Sequence, residues 1–493
     1  MKDPVRIELQ PLGECIEVQR GTPLQDILFA HGVEFPCGGR GRCKGCRVKV
    51  LKGRLPTTVD QEQKLTREEL AEGWRLACQC KADDNLTLEI MQWEAAILAD
   101  HSTLEFTPQQ GLGVAVDLGT TTIVAQLIDL STGHVLAVQS ALNPQAQFGS
   151  DIMSRIHAAI KDNGQNKLEQ LIREQIGNLI NQLQSSTPKS HASIKEVVIV
   201  GNTVMHHLFC GIDIQSLSRY PFKSAESQQQ IFRAADINWN ELGDPTVRFL
   251  SCIGGFVGSD ILAGVLATNM HQSESLICFI DLGTNGEIVI GNRQRMLCAS
   301  TAAGPAFEGA RISMGMRAAS GAIAKVDIDG DQLHCHVLGN VPARGICGSG
   351  LVDAVAAGLE LSLIESNGRL ANGKGKLALL KPVYLTQNDI RELQLAKGAI
   401  AAGTKVLLKQ WGAATDDITM LYLAGAFGNY INQTSARRIG LIDLPPDKVR
   451  QAGNTALLGA KLALFSFQDQ AREFSDITGK IEHISLAADP AFE

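Results

Sequence analysis

The sequence predicts a multidomain chain of mixed α/β and α+β class, a small β-rich module followed by a larger, two-lobed α/β body. Three observations predict this. Five of the twelve cysteines crowd into residues 37–80. The segments flanking that crowd alternate apolar and polar residues at period two, the mark of half-buried strands. Farther on, an apolar run ending in Asp-Leu-Gly-Thr occurs twice, at Asp117 and at Asp281.

The chain has 493 residues, room for about three domains. Hydrophobic residues make up 44% and charged residues 20%, which supports a sizeable core and excludes wholesale disorder. A net charge of −7 excludes a global nucleic-acid footprint, and 5% aromatics is a poor supply for stacking bases. No apolar run reaches the roughly 18 residues of a membrane span. The opening residues MKDPVRIELQ contain no apolar secretory core. Twelve cysteines in that setting lead to an expectation of a reducing, cytoplasmic compartment and of metal or redox chemistry.

In the first module, Val5–Leu9 and Cys15–Val18 alternate as strands, and PLQDILFAH (23–31) opens a helix on proline. The loop CGGRGRCKGC (37–46) places Cys37, Cys43 and Cys46 at C-x5-C-x2-C with four glycines between them. Plant-type [2Fe–2S] proteins use C-x4-C-x2-C and a distant fourth cysteine, near about −400 mV. Glycine suits such a loop, because thiolates must converge while backbone N–H groups turn toward the sulfurs. Structural zinc is the competing reading, but a zinc ribbon wants two C-x2-C knuckles and only one is present. On spacing alone the fourth ligand is Cys78 or Cys80. Strands at 46–50 and 86–90 complete the order strand, strand, helix, loop, strand, strand, which is that of a β-grasp. Residues 1–92 resemble a [2Fe–2S] ferredoxin, and the context RLACQ chooses Cys78 by that resemblance. The six cysteines beyond residue 200 read as packing residues. Arg40, Arg42, Lys44, Arg47, Lys49, Lys52 and Arg54 form a basic stretch with no acid, read either as a solvated face or as a docking rim for an acidic redox partner.

Residues 93–111 show no strong period and read as a linker to a body at 112–493, with lobes at roughly 112–275 and 276–493. In Val114–Val124 a strand runs into Asp117, turns at Gly119, presents Thr120, Thr121 and Thr122, and returns. Cys278–Val289 repeats this with Asp281, Gly283, Thr284, Asn285 and Gly286. Gly201-Asn202-Thr203 is echoed by Gly453-Asn454-Thr455, and Leu421–Gly428 is an apolar strand ending in small residues. This order resembles the actin-like, acetate and sugar kinase and heat-shock chaperone superfamily of ribonuclease H-like fold. It implies Mg²⁺·ATP gripped between two lobes. Asp117 and Asp281 would hold Mg²⁺ through water, the hairpin glycines and hydroxyls would meet phosphate, and Gly425, Ala426 and Gly428 would admit adenosine. Asp260, near the start of a helix opening at Gly258, is a candidate to position the attacking water. Arg344–Gly350 reads as an anion-binding helix start or a plain turn. His206 and His207 read as structural. There is no P-loop and no flavin or nicotinamide fingerprint.

A ferredoxin fused to such an ATPase resembles the reductive activators of corrinoid-dependent methyltransferase systems. The likeness runs through CGGRGRCKGC, RLACQ, VAVDLGTTT, NPQAQFGSDIMSRI, VGNTVMHHLF, DLGTNGE, AGPAFEGARISMG, ARGICGSGL and LAGAFGNYI. It implies ATP-dependent, one-electron reduction of Co(II) to Co(I) in a corrinoid protein, an external low-potential electron donor, and a homodimer. Longer members carry an extra segment between ferredoxin and ATPase that residues 93–111 do not supply. Rival readings are an activator of another low-potential enzyme, a non-redox kinase or chaperone with a sensory cluster, and a simple electron carrier.

Overall fold

The computed structural model describes residues 4–10, 14–29, 33, 41, 44, 46–90, 106–149, 151–161, 164–186, 193–309, 311–319, 321–371, 373, 375–428, 430–466 and 476–486. Cys37, Cys43, Arg40 and Arg42 lie outside them.

The first module is a five-stranded sheet in the order Glu14–Gln19, Pro4–Gln10, Leu86–Ile90, Arg47–Lys52, Trp74–Leu76. Pro4–Gln10 pairs in parallel with Leu86–Ile90 and antiparallel with Glu14–Gln19. The period-two pattern sets which face is buried: Val5, Ile7, Leu9, Leu86, Leu88 and Ile90 face inward onto Leu24 and Leu28 of the Leu24–Phe29 helix. Two short helices, Val59–Lys64 and Arg67–Ala71, are additions to the order read from the sequence. The second starts at a capping box in which Thr66 and Glu69 satisfy each other's backbone N–H.

The body holds two six-stranded sheets. In one lobe the order is Val135–Leu142, Thr122–Asp129, Leu112–Leu118, Ile194–Gly201, Thr246–Phe249, Gln230–Arg233. In the other it is Val449–Gly453, Met420–Ala424, Ile277–Leu282, Gly286–Gly291, Met296–Thr301, Ile481–His483. Each sheet is an antiparallel meander of three strands whose first strand takes a parallel neighbour on its other side. Asp117 and Asp281 therefore stand at equivalent places, near the ends of equivalent strands.

The duplicated Gly-Asn-Thr triplets are not equivalent in this frame. Asn202 follows the strand beside the Asp117 strand, whereas Asn454 follows the strand one place farther out. The shared triplet reflects a shared local need. Asn202 and Asn454 each accept a backbone N–H in the first turn of the helix that follows, from Met205 at 3.0 Å and from Leu457 at 2.8 Å.

Each lobe has its own core, and a third apolar cluster joins them through the Ser259–Ala267 and Thr455–Ser466 helices. These helices cross in close contact: a Cβ at Gly459 would stand 2.3 Å from the Ala263 carbonyl oxygen. Phe279, fully buried in this cluster, lies against Gly264. Such a side chain contributes about 1.5–3 kcal/mol by burial. Residues 106–111 are pinned to the body, with Phe106 on Phe465 at 4.3 Å between ring centroids and Gln109 donating its backbone N–H to the Leu130 carbonyl.

The first module rests against both lobes. Arg344 pairs with Glu89 at 3.4 Å, Arg47 donates to the Ser313 carbonyl at 3.2 Å, and Gln25 reaches the Gln147 carbonyl at 3.5 Å.

Candidate functional site

The first hairpin is built by its neighbours. Gly119 N–H bonds to the Thr122 carbonyl at 3.1 Å and closes the turn. Asn143 donates to the Gly119 carbonyl at 2.9 Å, and its backbone N–H bonds to the Thr121 carbonyl at 2.8 Å. Arg155, fully buried, donates to the carbonyls of Gly149 and Thr120. With those carbonyls tied back, Thr121 and Thr122 present themselves to the cleft. The motif NPQAQFGSDIMSRI thus has a physical role, since its Asn143 and Arg155 hold the hairpin in shape. Thr120 is spoken for, its hydroxyl accepting from Asn202 at 2.9 Å.

The second hairpin closes by Gly283 N–H to the Asn285 carbonyl at 3.0 Å. Thr284 donates its hydroxyl to Glu308 at 2.8 Å. Gly286 is small for a reason unrelated to phosphate: a Cβ there would stand 2.8 Å from Ile400 on the Gln387–Trp411 helix.

Three aspartates and a glutamate converge where the two lobes meet. Asp260 sits in the first turn of the Ser259–Ala267 helix, where Gly258 brings the loop against the Gly201 carbonyl and Asn202. Removal from bulk water, then the charges of Asp281 and Asp117, push its carboxyl up to about 8. Asp281 is pushed to about 7 by enclosure and by Asp117. Asp117 reaches about 6 by enclosure, opposed by the Asn454 amide. Glu287 is raised well above the usual range by enclosure, then Asp260 and Asp281, while Ser300 donates to it at 3.0 Å. Sequence patterns do not reveal Glu287, although register places it directly across from Asp281. Carboxylates arranged this way repel one another until a cation arrives, a donor set that suits hydrated Mg²⁺.

A cleft partly open to solvent lies between Thr121 and Thr122 of one lobe and residues of the other. Phe307 and Phe427 stack in its wall with centroids 4.5 Å apart, joined by Met316, Arg317, Glu308 and Tyr430. The Gly348–Glu360 helix begins in the same wall with Cys347, Gly348 and Ser349. Of the small residues expected to admit adenosine, Gly425 has another reason to be glycine. Its φ is +82°, and a Cβ would stand 2.6 Å from Asp281 Oδ1 and from the Leu282 carbonyl oxygen. Gly428 lies against the Leu423 backbone. The side chain of Ala426 falls outside the described residues.

In the first module, Cys46 is fully buried, and its carbonyl accepts the Ala77 N–H at 3.0 Å. That bond draws the Cys46 arm beside the turn carrying Cys78. Gly41, at φ +66°, packs against Gln79 of that turn. Cys78 is half-buried, whereas Cys80 lies in the core. The Cys80 thiol donates to the Leu76 carbonyl at 3.3 Å, and burial pushes it up to about 11. Soft thiols on glycine-rich arms fit an iron–sulfur cluster, and Cys80 is the poor donor of the pair.

The basic stretch is less basic than it reads. Lys44 and Arg47 pair with Glu69 at 2.8 and 3.2 Å, and Lys49 with Glu72 at 3.8 Å. Three of the seven cations thus share two carboxylates within the module, and Arg47 also turns toward the body. These pairs lower the charge that the stretch presents, as a solvated face or as a docking rim. Of the scattered cysteines, Cys252, Cys278, Cys298 and Cys347 are buried and Cys210 and Cys335 half-buried, as packing residues would be. His206 and His207 are buried, and His207 Nδ1 lies 2.9 Å from the Thr203 carbonyl oxygen.

Comparison with known proteins fits this geometry. Residues 7–83 match the 2Fe-2S iron-sulfur cluster binding domain, residues 112–273 the RACo middle region, and residues 275–493 the C-terminal domain of RACo, the ASKHA domain. The corrinoid activation enzyme RamQ of Eubacterium limosum is 34% identical over 433 residues, covering 80% of this chain and 72% of that protein. This chain belongs to the corrinoid-activator family. Another member, the [Co(II) methylated amine-specific corrinoid protein] reductase of Methanosarcina barkeri, is 28% identical over 413 residues, 77% of this chain and 75% of that one. A solved activator, titled reductive activator for corrinoid,iron-sulfur protein, superposes with a TM-score of 0.70 at 28% identity, over 99% of this chain and 96% of that one. The fold is that of the family: a ferredoxin module followed by a two-lobed, actin-like body. Among the described residues no helix is long and apolar enough to cross a membrane.

Proposed function

We propose that this chain reduces the inactive Co(II) form of a corrinoid protein to Co(I), one electron per event, and that Mg²⁺·ATP drives the step. The observation that carries the reading is one chain holding two devices: a cysteine module of ferredoxin type and a cluster of Asp117, Asp260 and Asp281 where two lobes meet.

Cys37, Cys43, Cys46 and Cys78 would hold a [2Fe–2S] cluster, which would supply single electrons drawn from an external low-potential donor. The chain's own residues do the rest. Gly41 and the Ala77–Cys46 bond shape the cysteine arms. Asp117 and Asp281, one from each lobe, would hold Mg²⁺. Glu287 adds a further carboxyl beside them, and Asp260 orients the attacking water. Thr121, Thr122 and the helix start at Gly348 face the phosphates, and Phe307 and Phe427 back the base. Each 100 mV of uphill electron transfer costs about 2.3 kcal/mol. Closure of two lobes on nucleotide can offset such a cost only if the closed form also binds the partner more tightly.

The test is anoxic incubation of dithionite-reduced, desalted protein with a corrinoid protein held as Co(II). Co(I) absorbance should appear with Mg²⁺·ATP. Hydrolysis of ATP without any Co(I), whatever corrinoid protein is supplied, would overturn the reading.

A further inference from the structure

The strands Ala322–Asp329 and Gln332–Val337 form an antiparallel hairpin on the outside of the second lobe. Its inward residues, among them Val326, Leu333 and Val337, pack on the lobe's core. Its outward face carries Lys325, Asp327, His334 and His336. Asp327 lies opposite His334 in register, and Lys325 opposite His336. One ligand atom each from Asp327, His334 and His336 fall within 4.8 Å of one another. His336 Nε2 is 2.8 Å from Asp327 Oδ2, and the two imidazoles meet edge to face at 4.6 Å.

We propose that this face is a binding site for a divalent transition metal of the zinc class, with His334, His336 and Asp327 as its protein ligands. Two imidazoles and one carboxylate are the donor set of Zn²⁺ and its neighbours, not of Mg²⁺ or Ca²⁺. The spacing i, i+2 puts both imidazoles on one face of a strand, and the paired strand supplies the carboxylate from a fixed position. Three ligands leave a fourth tetrahedral position for water. Cys335 lies between the histidines but turns to the core, so it is not a ligand. The competitor is local: Lys325 Nζ sits 2.7 Å from Asp327 Oδ2, on the oxygen an ion would use. The rival description is a solvated hairpin face tied together by that ion pair.

The two descriptions differ in what Lys325 does. If the face only carries an ion pair, Lys325→Gln changes nothing in metal binding. If it is a metal site, Lys325→Gln removes the competing cation and tightens it. The experiment is calorimetric titration of Zn²⁺ into cluster-reconstituted full-length protein, with Mg²⁺ as control. One zinc per chain is expected, weakened at least tenfold by His334→Gln or His336→Gln and strengthened by Lys325→Gln, with cluster absorbance and circular dichroism unchanged. Absence of zinc binding, equal binding by the histidine variants, or no gain from Lys325→Gln would overturn the proposal.

Discussion

Asn454 donates its side-chain amide to Asp117 at 2.9 Å, a bond from one lobe to the carboxylate at the heart of the other. It is made by the residue that also caps the Thr455–Ser466 helix, so the helix start and the Asp117 carboxylate are held by one side chain. A hydrogen bond to a charged group contributes about 1.5–3 kcal/mol. Asn454→Ala should therefore weaken Mg²⁺·ATP binding roughly tenfold or more, and Asn454→Asp should be worse because it adds a like charge beside Asp117. Nucleotide titration of both variants checks this, with cluster absorbance as the control for folding. Wild-type affinity in Asn454→Asp would contradict the role given to this bond.

Binding of Mg²⁺·ATP should release protons. Enclosure and mutual repulsion hold Asp260 near 8 and Asp281 near 7, so both keep protons part of the time at neutral pH. A bound cation favours the ionised forms and expels those protons. Affinity should accordingly rise from pH 6 to pH 8 and flatten above. Calorimetry at pH 7 in buffers of different ionisation enthalpy measures the release directly. Heats that do not depend on the buffer would refute it.

The same carboxylates should cost stability when no cation is present. The Asp260 carboxyl is raised above the roughly 3.9 of an unfolded chain, so the folded state holds more protons. Its penalty is absent below pH 4, grows as pH rises, and is complete above pH 8. Asp260→Asn should raise the Mg²⁺-free melting temperature at pH 8, with the gain fading toward pH 4, while ATP turnover falls. A variant that melts lower than wild type at pH 8 would contradict this electrostatic origin.

Cys78→Ser should abolish or alter the visible spectrum of the cluster, whereas Cys80→Ser should leave it nearly intact. Cys80 is buried, its thiol is held by the Leu76 carbonyl and by Gln61 at 3.5 Å, and its ionisation is suppressed. Iron and sulfide analysis of the two variants separates them. Loss of iron in Cys80→Ser with retention in Cys78→Ser would move the fourth ligand.

The parts of the site that sit within one hairpin are legible in the sequence, because Asp117 to Thr122 and Asp281 to Gly286 are local patterns of strand, turn and strand. Parts assembled by register or by tertiary contact are not. Glu287 becomes the neighbour of Asp281 only through strand pairing. Phe307 and Phe427 stack from positions 120 residues apart in the chain. The repeated Gly-Asn-Thr points to a duplication that the sheet order does not contain, because a helix cap recurs wherever a helix needs one. The basic stretch looks uncompensated in sequence since Glu69 and Glu72 arrive from a separate helix and its end. Gly425 and Gly286 suggest ligand contact by their motifs, yet their close neighbours are protein atoms.

Two contacts give coupling between the cleft and the cysteine module a physical route. Arg344 touches Glu89 of that module and lies three residues before Cys347 in the cleft wall, and the loop of Ser313, which receives Arg47, leads to Met316 and Arg317 in the same wall. The most direct measurement is the rate of Co(I) appearance from a Co(II) corrinoid protein and pre-reduced chain, with Mg²⁺·ATP present or absent, for wild type and Asp117→Asn. Coupling predicts fast reduction by wild type with ATP, and slow reduction both without ATP and in Asp117→Asn, whose cluster spectrum stays normal. Equal rates with and without ATP in wild type would contradict it.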